Sequence, residues 1–470
     1  MIWNLKQFGK NDAVVDENNN HYSYNDFHES CNKLANFIGD RCLVFSLCTN
    51  TVGSLIGYIG LVNNNIVPLM LDSHLNDELL SHLVDTYRPK FIWAPESRCD
   101  SYRFVKVFSL EGYELLKTGF DEEFPLHDDL ALLLTTSGST GSPKLVRQSY
   151  KNILSNTKSI VDYLELDCNE RPITTLPMNY TYGISIINTH LYVGATIILT
   201  EKTIFSREFW QLFKEQNVTS FGGVPYTYEM LEKLRFFRMD LPSLKTMTQA
   251  GGKISLDLHK KIADYADKNG KKFVVMYGQT EATARMAYLP ADKAVEKCGS
   301  MGIAIPGGKF SLIDANGDAI LEPNVVGELV YEGDNVTLGY AICGEDLIKG
   351  DENHGRLITG DMAKFDEDGF YYVVGRKKRF LKMFGKRVNL DETERMIKAD
   401  FPAIDCACCG RDDNMYIFIT DSSFTDVIKN YISEKTNINF SGFTIKYIES
   451  VPKNESGKTQ YLELEKYYGQ

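Results

Sequence analysis

No stretch of this sequence stays apolar for the ~18 residues a membrane span requires; the run Leu191 to Leu199 falls far short. An excess of positive charge is lacking too. With 51 Lys and Arg against 63 Asp and Glu, the formal net charge is −12, which disfavours non-specific binding to nucleic acid and to anionic membranes. Any anionic ligand must therefore meet positive charge gathered locally. Residues 1–24 hold no apolar core long enough for a secretory signal. Ten cysteines without such a signal read as reduced thiols in a cytoplasmic chain. Cys406, Cys408 and Cys409 cluster, but no second Cys or His pair stands near them, so buried thiols on a strand are expected rather than a zinc site. Internal repeats and low-complexity linkers are also missing.

What is present has the texture of a soluble multidomain protein. A chain of 470 residues, 43% hydrophobic and 24% charged, exceeds what one core of ~250–300 residues serves. From about Phe91 to Val330, short apolar runs alternate with amphipathic stretches. Leu130–Leu134, Ala195–Leu199 and Phe273–Met276 read as buried strands. Ser149 is placed to cap a helix with Ile153, Ile160, Val161 and Leu164 on one face. Strand-then-helix alternation predicts an α/β architecture with largely parallel sheets flanked by helices. After Gly375 the pattern changes. The turn Asp366-Glu367-Asp368 precedes Gly369–Val374 and gives a hairpin, followed by a basic run, Arg376 to Arg379. Asn389 with Glu392 then begins a helix through Asp400. Strands at Asp405–Cys409, Met415–Thr420 and Phe443–Ile448 and a helix near Thr425–Glu434 complete a small α+β unit. The expected domains are 1–377 and 378–470.

Four motifs carry chemistry. Directly after Leu130–Leu134 come Thr135, Thr136, Ser137, Gly138, Ser139, Thr140, Gly141, Ser142, Pro143 and Lys144. Small and hydroxyl residues this dense leave backbone N–H groups free to face an anion, glycines permit close approach, and Lys144 adds charge. The order is not a Walker sequence, since Leu145 follows the lysine; a Ser/Gly surface loop is the bland alternative. Tyr277, Gly278, Gln279, Thr280 and Glu281 follow the run Phe273–Met276, at a strand's carboxyl end, where α/β sheets bind ligands. There a tyrosine can stack on a base, Thr280 can donate to a phosphate and Glu281 can hold Mg²⁺; a turn with a solvated Glu is the competing reading. Thr359-Gly360-Asp361 sets a carboxylate suited to two ribose hydroxyls beside a glycine turn, with Arg376 downstream. Finally, Asn454 to Lys458 presents a lysine on a glycine-containing loop, which by itself reads as a solvated side chain.

Taken in order, the four resemble the signatures of the adenylate-forming superfamily: acyl-CoA synthetases, peptide-synthetase adenylation domains and firefly-type luciferases. Supporting segments match as well, among them Gly222 to Pro225, Ala250-Gly251-Gly252, Gly299 to Gly302, Gly327-Glu328-Leu329, Gly339-Tyr340 and Gly375 to Glu394. The resemblance implies a large α/β N-terminal domain that binds ATP and acid, and a small mobile α+β C-terminal domain. It further implies a phosphate loop at Thr136 to Lys144, with Thr280 and Glu281 at the α-phosphate and Mg²⁺. Gly251, Gly252, Tyr277 and Gly278 would border the nucleotide base, Asp361 would hold the ribose and Arg376 would assist. Lys458 matches the lysine that bridges the acid's carboxylate and ATP. Lys378 matches the hinge about which the small domain turns, and Gly385 the tunnel for an acceptor thiol, coenzyme A or carrier-protein phosphopantetheine.

The implied activity is ATP- and Mg²⁺-dependent formation of an acyl-adenylate with release of pyrophosphate, followed by transfer to a thiol. Tyr180, Thr181, Tyr226 and Gly251 are the expected acid-pocket residues. No Asp or Glu occurs from Arg171 to Thr200, so the counterion for an α-ammonium group is missing, and an uncharged or hydroxylated small carboxylic acid is expected. Two other readings stay open: an amino-acid adenylating enzyme that loads a carrier protein, and a catalytically retired nucleotide-binding homologue.

Overall fold

The computed structural model describes residues 2–99, 104–120, 122–135, 144–436, 438–453 and 459–467. By compactness the chain divides into one unit of Met1–Lys309 with Tyr331–Leu357 and a second of Phe310–Val330 with Ile358–Gln470. That division counts residues 358–377 with the C-terminal residues. The expected boundary at Lys377–Lys378 falls within the second of these units.

Two large sheets organise the first unit. In one of eight strands, Leu130–Thr135, Val67–Asp72, Leu43–Cys48 and Phe91–Pro95 run parallel as neighbours. Leu145–Ser149 pairs antiparallel with Leu130–Thr135 on one side, and Tyr113–Lys117 closes the other. These strands are apolar at nearly every position because helices such as Val52–Asn63 cover them. The other sheet has nine strands, and its parallel core sets Ser220–Gly223, Thr246–Gln249 and Lys272–Tyr277 side by side. Gly223 registers with Gln249, and Gln249 with Val275, so the first two strands end level and the third runs two residues further.

Local chemistry accounts for the helix between these sheets. Ser149 takes extended backbone and accepts from the Asn152 N–H, while the Asn152 side chain accepts in return from the Ser149 N–H, which satisfies two of the four free donors of Tyr150–Leu164. Ile153, Ile160 and Leu164 face inward as expected, and Val161 is half-buried. The strand expected over Ala195–Leu199 is only Ile197–Ile198, because this short segment pairs parallel with Asp12–Val15 at two positions and with Pro172–Ile173 at one.

The second unit is mostly antiparallel, unlike the largely parallel sheets of the first. Asp366 accepts from the backbone N–H of Asp368 and Phe370, and this turn joins Arg356–Phe365 to Tyr371–Arg376. Further on, Phe380–Met383 pairs with Lys386–Asn389, and Cys406–Arg411, Asn414–Ile419 and Phe443–Tyr447 form a three-stranded sheet. Helices Leu390–Asp400 and Thr425–Thr436 lie at the predicted places, the first capped by Asn389. Cys406, Cys408 and Cys409 are buried on their strand, and burial pushes the Cys406 thiol up to about 12. Among the described residues no helix is long and apolar enough to cross a membrane.

Candidate active site

The segments at the carboxyl ends of the three parallel strands of the first unit are Val224-Pro225, on which Gly251 and Gly252 pack, and Tyr277-Gly278, where the third strand ends. Each turn is constrained. Gly251 has φ +83°, a conformation L side chains rarely adopt, and a Cβ there would sit 2.6 Å from the Tyr180 hydroxyl. The Gln249 side chain donates to the carbonyls of Ala250 (3.2 Å) and Gly252 (2.9 Å) and fixes the turn from beneath. At Gly278 a Cβ would fall 1.6 Å from the carbonyl oxygen of Ala284. Only glycine lets residues 278–285 fold back so tightly.

That folded-back segment presents Thr280 and Glu281. Thr283, at φ +65°, closes the turn, and its hydroxyl donates to the Asn335 carbonyl at 2.7 Å. The Asn335 side chain donates to the Ala282 (2.8 Å) and Arg285 (3.1 Å) carbonyls, and Thr337 donates to the Glu281 carbonyl from both its N–H and its hydroxyl, each at 3.0 Å. With its backbone held on several sides, Glu281 turns one carboxylate oxygen to the Tyr340 hydroxyl at 2.7 Å. The Lys144 ammonium lies 3.4 Å from the centre of the same Tyr340 ring. Tyr340 thus joins the last residue of the hydroxyl-rich loop to the acidic residue of the second motif. Thr136, Ser137, Gly138, Ser139, Thr140 and Gly141 lie outside the described residues.

The expected acid-pocket residues separate by environment. Tyr180 is held against Gly251, and burial raises its hydroxyl to about 12. Thr181 is buried and donates to the Thr283 carbonyl at 3.0 Å, which braces the Glu281 turn. Tyr226 is 44% exposed on the helix Pro225–Lys233. Behind Tyr180, the Tyr182 hydroxyl meets the Thr248 hydroxyl at 2.7 Å.

In the second unit, Asp361 and Arg376 are cross-strand partners, with Arg376 Nε 3.0 Å from an Asp361 oxygen. Asp361 is 3% exposed, whereas the Arg376 side chain is 63% exposed. A buried carboxylate is therefore paired with a largely solvent-exposed cation. Lys378 is exposed in the 3₁₀ turn Lys377–Arg379. Gly385, at φ +84°, turns the chain between Phe380–Met383 and Lys386–Asn389, with nothing within 4 Å of where a Cβ would lie. Lys458 is outside the described residues, but Lys453 and Thr459 on either side of its segment form an antiparallel bridge. Tyr461, just beyond, lies under the Arg379 guanidinium (3.7 Å) and donates to Glu394 at 2.9 Å. Arg379 in turn binds Asp391 (2.8 Å) and Glu394 (2.6 Å).

Sequence reasoning did not assign roles to Tyr340, Gln249 or Arg285. Gly339-Tyr340 stood out only as a supporting match, and neither of the other two belongs to a motif with an assigned chemistry.

Among the described residues no group of three or more His, Cys, Asp and Glu side chains could hold a metal. Glu281 offers a hard oxygen ligand of the kind that suits Mg²⁺, which is commonly held by one or two carboxylates plus substrate phosphates and water.

The model of the family described as AMP-binding enzyme matches residues 2–341. The chain is 28% identical over 361 residues to 4-coumarate–CoA ligase-like 2 of Arabidopsis thaliana, an overlap of 72% of this chain and 61% of that protein. It is 26% identical over 339 residues to 2-succinylbenzoate–CoA ligase of Bacillus licheniformis, covering 70% of this chain and 69% of the relative. The match to the Arabidopsis protein thus spans about three-fifths of that protein's length. Among solved structures, ATP-bound MatB from Rhodopseudomonas palustris superposes with a TM-score of 0.80 at 21% identity, covering 99% of this chain and 98% of the other, which shows a shared α/β fold.

Proposed function

The chain belongs to the AMP-binding enzyme family, and on that premise we propose that it activates a carboxylic acid with ATP. The acid's carboxylate oxygen attacks the α-phosphorus, the bond to the β-phosphate oxygen breaks, and acyl-adenylate and pyrophosphate form. A thiol then attacks the acyl carbon and AMP leaves. The acceptor is coenzyme A or a carrier protein's phosphopantetheine, and the CoA-ligase names of the relatives favour coenzyme A.

The observation that carries this reading is the Lys144–Tyr340–Glu281 arrangement beside Gly278. A cation and a positioned carboxylate meet at the carboxyl ends of parallel strands, where α/β proteins bind nucleotides. In the first step two anions approach, so fixed positive charge and in-line positioning lower the barrier. Lys144 offers charge to the phosphates, with the loop Thr136 to Gly141 supplying backbone donors. Thr280 would donate to the α-phosphate. Glu281 would hold Mg²⁺, which when bound neutralises phosphate charge and the departing pyrophosphate. Gly251, Gly252, Tyr277 and Gly278 leave a flat backbone edge for the base. Asp361 accepts from the ribose hydroxyls, and Arg376, already paired with it, adds charge. Lys458 bridges the acid and ATP in this reading, and a turn of the chain at Lys378 then withdraws it and brings Gly385 to the thiol. In this reading the reaction takes place in the cytoplasm, where cysteines stay reduced.

An amino acid is the weaker substrate class. The segment 171–200 has no carboxylate, and the buried cation Arg285 sits where an ammonium would be repelled. Pyrophosphate release that needs both ATP and an acid, and falls at least 100-fold in Lys458→Ala, is the expected result. Release independent of the acid, or unchanged in that variant, would withdraw the reading.

A further inference from the structure

Arg285 is 2% exposed, and its guanidinium stays charged at any working pH. Its Nη1 donates to the Tyr163 hydroxyl at 3.3 Å and faces the Met276 sulfur; its Nη2 donates to the Ser185 hydroxyl at 2.9 Å. The group lies 4.7 Å from the Tyr182 ring centre. Every one of these partners is neutral. Among the described residues no carboxylate pairs with Arg285, and its Nε has no hydrogen-bond partner. A buried charge is ordinarily paired, because removal from water is not offset by neutral hydroxyls.

A second unsatisfied group stands close by. His190 is 4% exposed, and its Nδ1 donates to the Ile186 carbonyl at 2.7 Å, which leaves Nε2 as a bare acceptor with no partner among the described residues. Burial pushes this imidazole down to about 4, so it is neutral. Both side chains line one small cavity of about 20 Å³, together with Ile186, Thr189, Gly222 and Thr248. Gly222 keeps it open: a Cβ there would come within 2.8 Å of Ile186 and 2.9 Å of the Tyr182 hydroxyl. That space admits a water-sized group. A water would fill hydrogen bonds but leave the charge of Arg285 uncompensated.

We infer that the acid is dicarboxylic, with its second, non-reacting carboxylate docked on Arg285 at the far end of the acyl pocket. The inference rests on the proposed adenylation reaction and departs from the uncharged acyl group that the sequence suggested. Thr248 lines this cavity, and its hydroxyl meets that of Tyr182, whose ring lies 4.7 Å from Arg285 and which directly follows the expected acid-pocket residues Tyr180 and Thr181; on this reading the cation faces the end of the acid remote from the phosphates. Gly222 fits the same role, since any side chain there would close the space.

The test pairs each monocarboxylic acid with its equal-length diacid (pentanoate with glutarate, hexanoate with adipate, benzoate with the phthalate isomers) in ATP–pyrophosphate exchange. Wild type is expected to use at least one diacid at least 100-fold better, by kcat/KM, than its monoacid partner. Arg285→Met should erase that ratio and Arg285→Lys should restore part of it. Without ATP, the favoured diacid should raise the melting temperature of wild type and not of Arg285→Met. Monoacids used as well as their diacids by wild type would overturn the inference while leaving adenylation intact, and that comparison needs no variant to fold. No exchange with any acid would overturn both.

Discussion

Tyr340→Phe isolates a single hydrogen bond at the centre of the proposed site. The hydroxyl donates to Glu281 at 2.7 Å, and a bond to a charged group contributes about 1.5–3 kcal/mol. Glu281 is only half-buried, so the low end, about 1.5 kcal/mol, is the appropriate figure. Lost from the positioning of a Mg²⁺ ligand, it corresponds to roughly a tenfold fall in kcat/KM for MgATP. The ring remains, so the Lys144 contact at 3.4 Å survives. Tyr340→Leu removes that contact too, worth about another 1 kcal/mol, and should lower kcat/KM by about 50–100-fold in total. Residue 340 pairs with Val146 through its backbone, so both variants keep the strand. The assay is MgATP dependence of pyrophosphate exchange at saturating acid, with melting temperature as the folding control. Wild-type kinetics in Tyr340→Phe, or identical losses in the two variants, would refute this account of the Lys144–Tyr340–Glu281 link.

Three further outcomes follow from particular contacts. Gly278→Ala forces a methyl against the Ala284 carbonyl at 1.6 Å and should destabilise by about 3 kcal/mol, read as a lower urea midpoint with loss of activity; a variant of wild-type stability would contradict the geometry. His190, neutral when folded with its pKa lowered from 6.5 to about 4 by burial, takes a proton only on unfolding between those values. Stability should therefore be full above pH 6.5 and fall by about 1.4 kcal/mol per pH unit towards pH 4; His190→Gln should flatten that part of the slope, and an unchanged slope would reject it. Arg379→Met leaves the buried Glu394, already raised by burial, without its cation, and should destabilise the second unit by about 3 kcal/mol. Urea unfolding followed by proteolysis within residues 380–467 measures this, and resistance equal to wild type would dismiss the cluster as a stabilising feature.

Much of this architecture is legible locally. Ser149 and Asn389 announce helix starts because a capping side chain needs only the next three residues. The Tyr277–Glu281 motif lies at a strand end because an apolar run precedes it and a glycine without room for a Cβ follows. Ala195–Leu199 was overextended, since how many residues of an apolar run pair depends on partners far away in sequence. The hairpin at Asp366-Glu367-Asp368 was legible, by contrast, because so short a turn joins antiparallel strands. The least legible residues are those whose meaning is entirely long-range. Tyr340 reaches Glu281 across 59 residues, and Arg285 reaches Ser185 across 100. Nothing near Arg285 in sequence distinguishes a buried, uncompensated cation from a surface one.

ATP–pyrophosphate exchange with Mg²⁺, across amino, hydroxy, aromatic, fatty and dicarboxylic acids, tests the central claim most directly. The account predicts exchange that requires both Mg²⁺ and a carboxylic acid, concentrated in one chemical class and abolished in Lys458→Ala. Measurable ATP binding with no exchange for any acid would contradict it and leave nucleotide recognition alone.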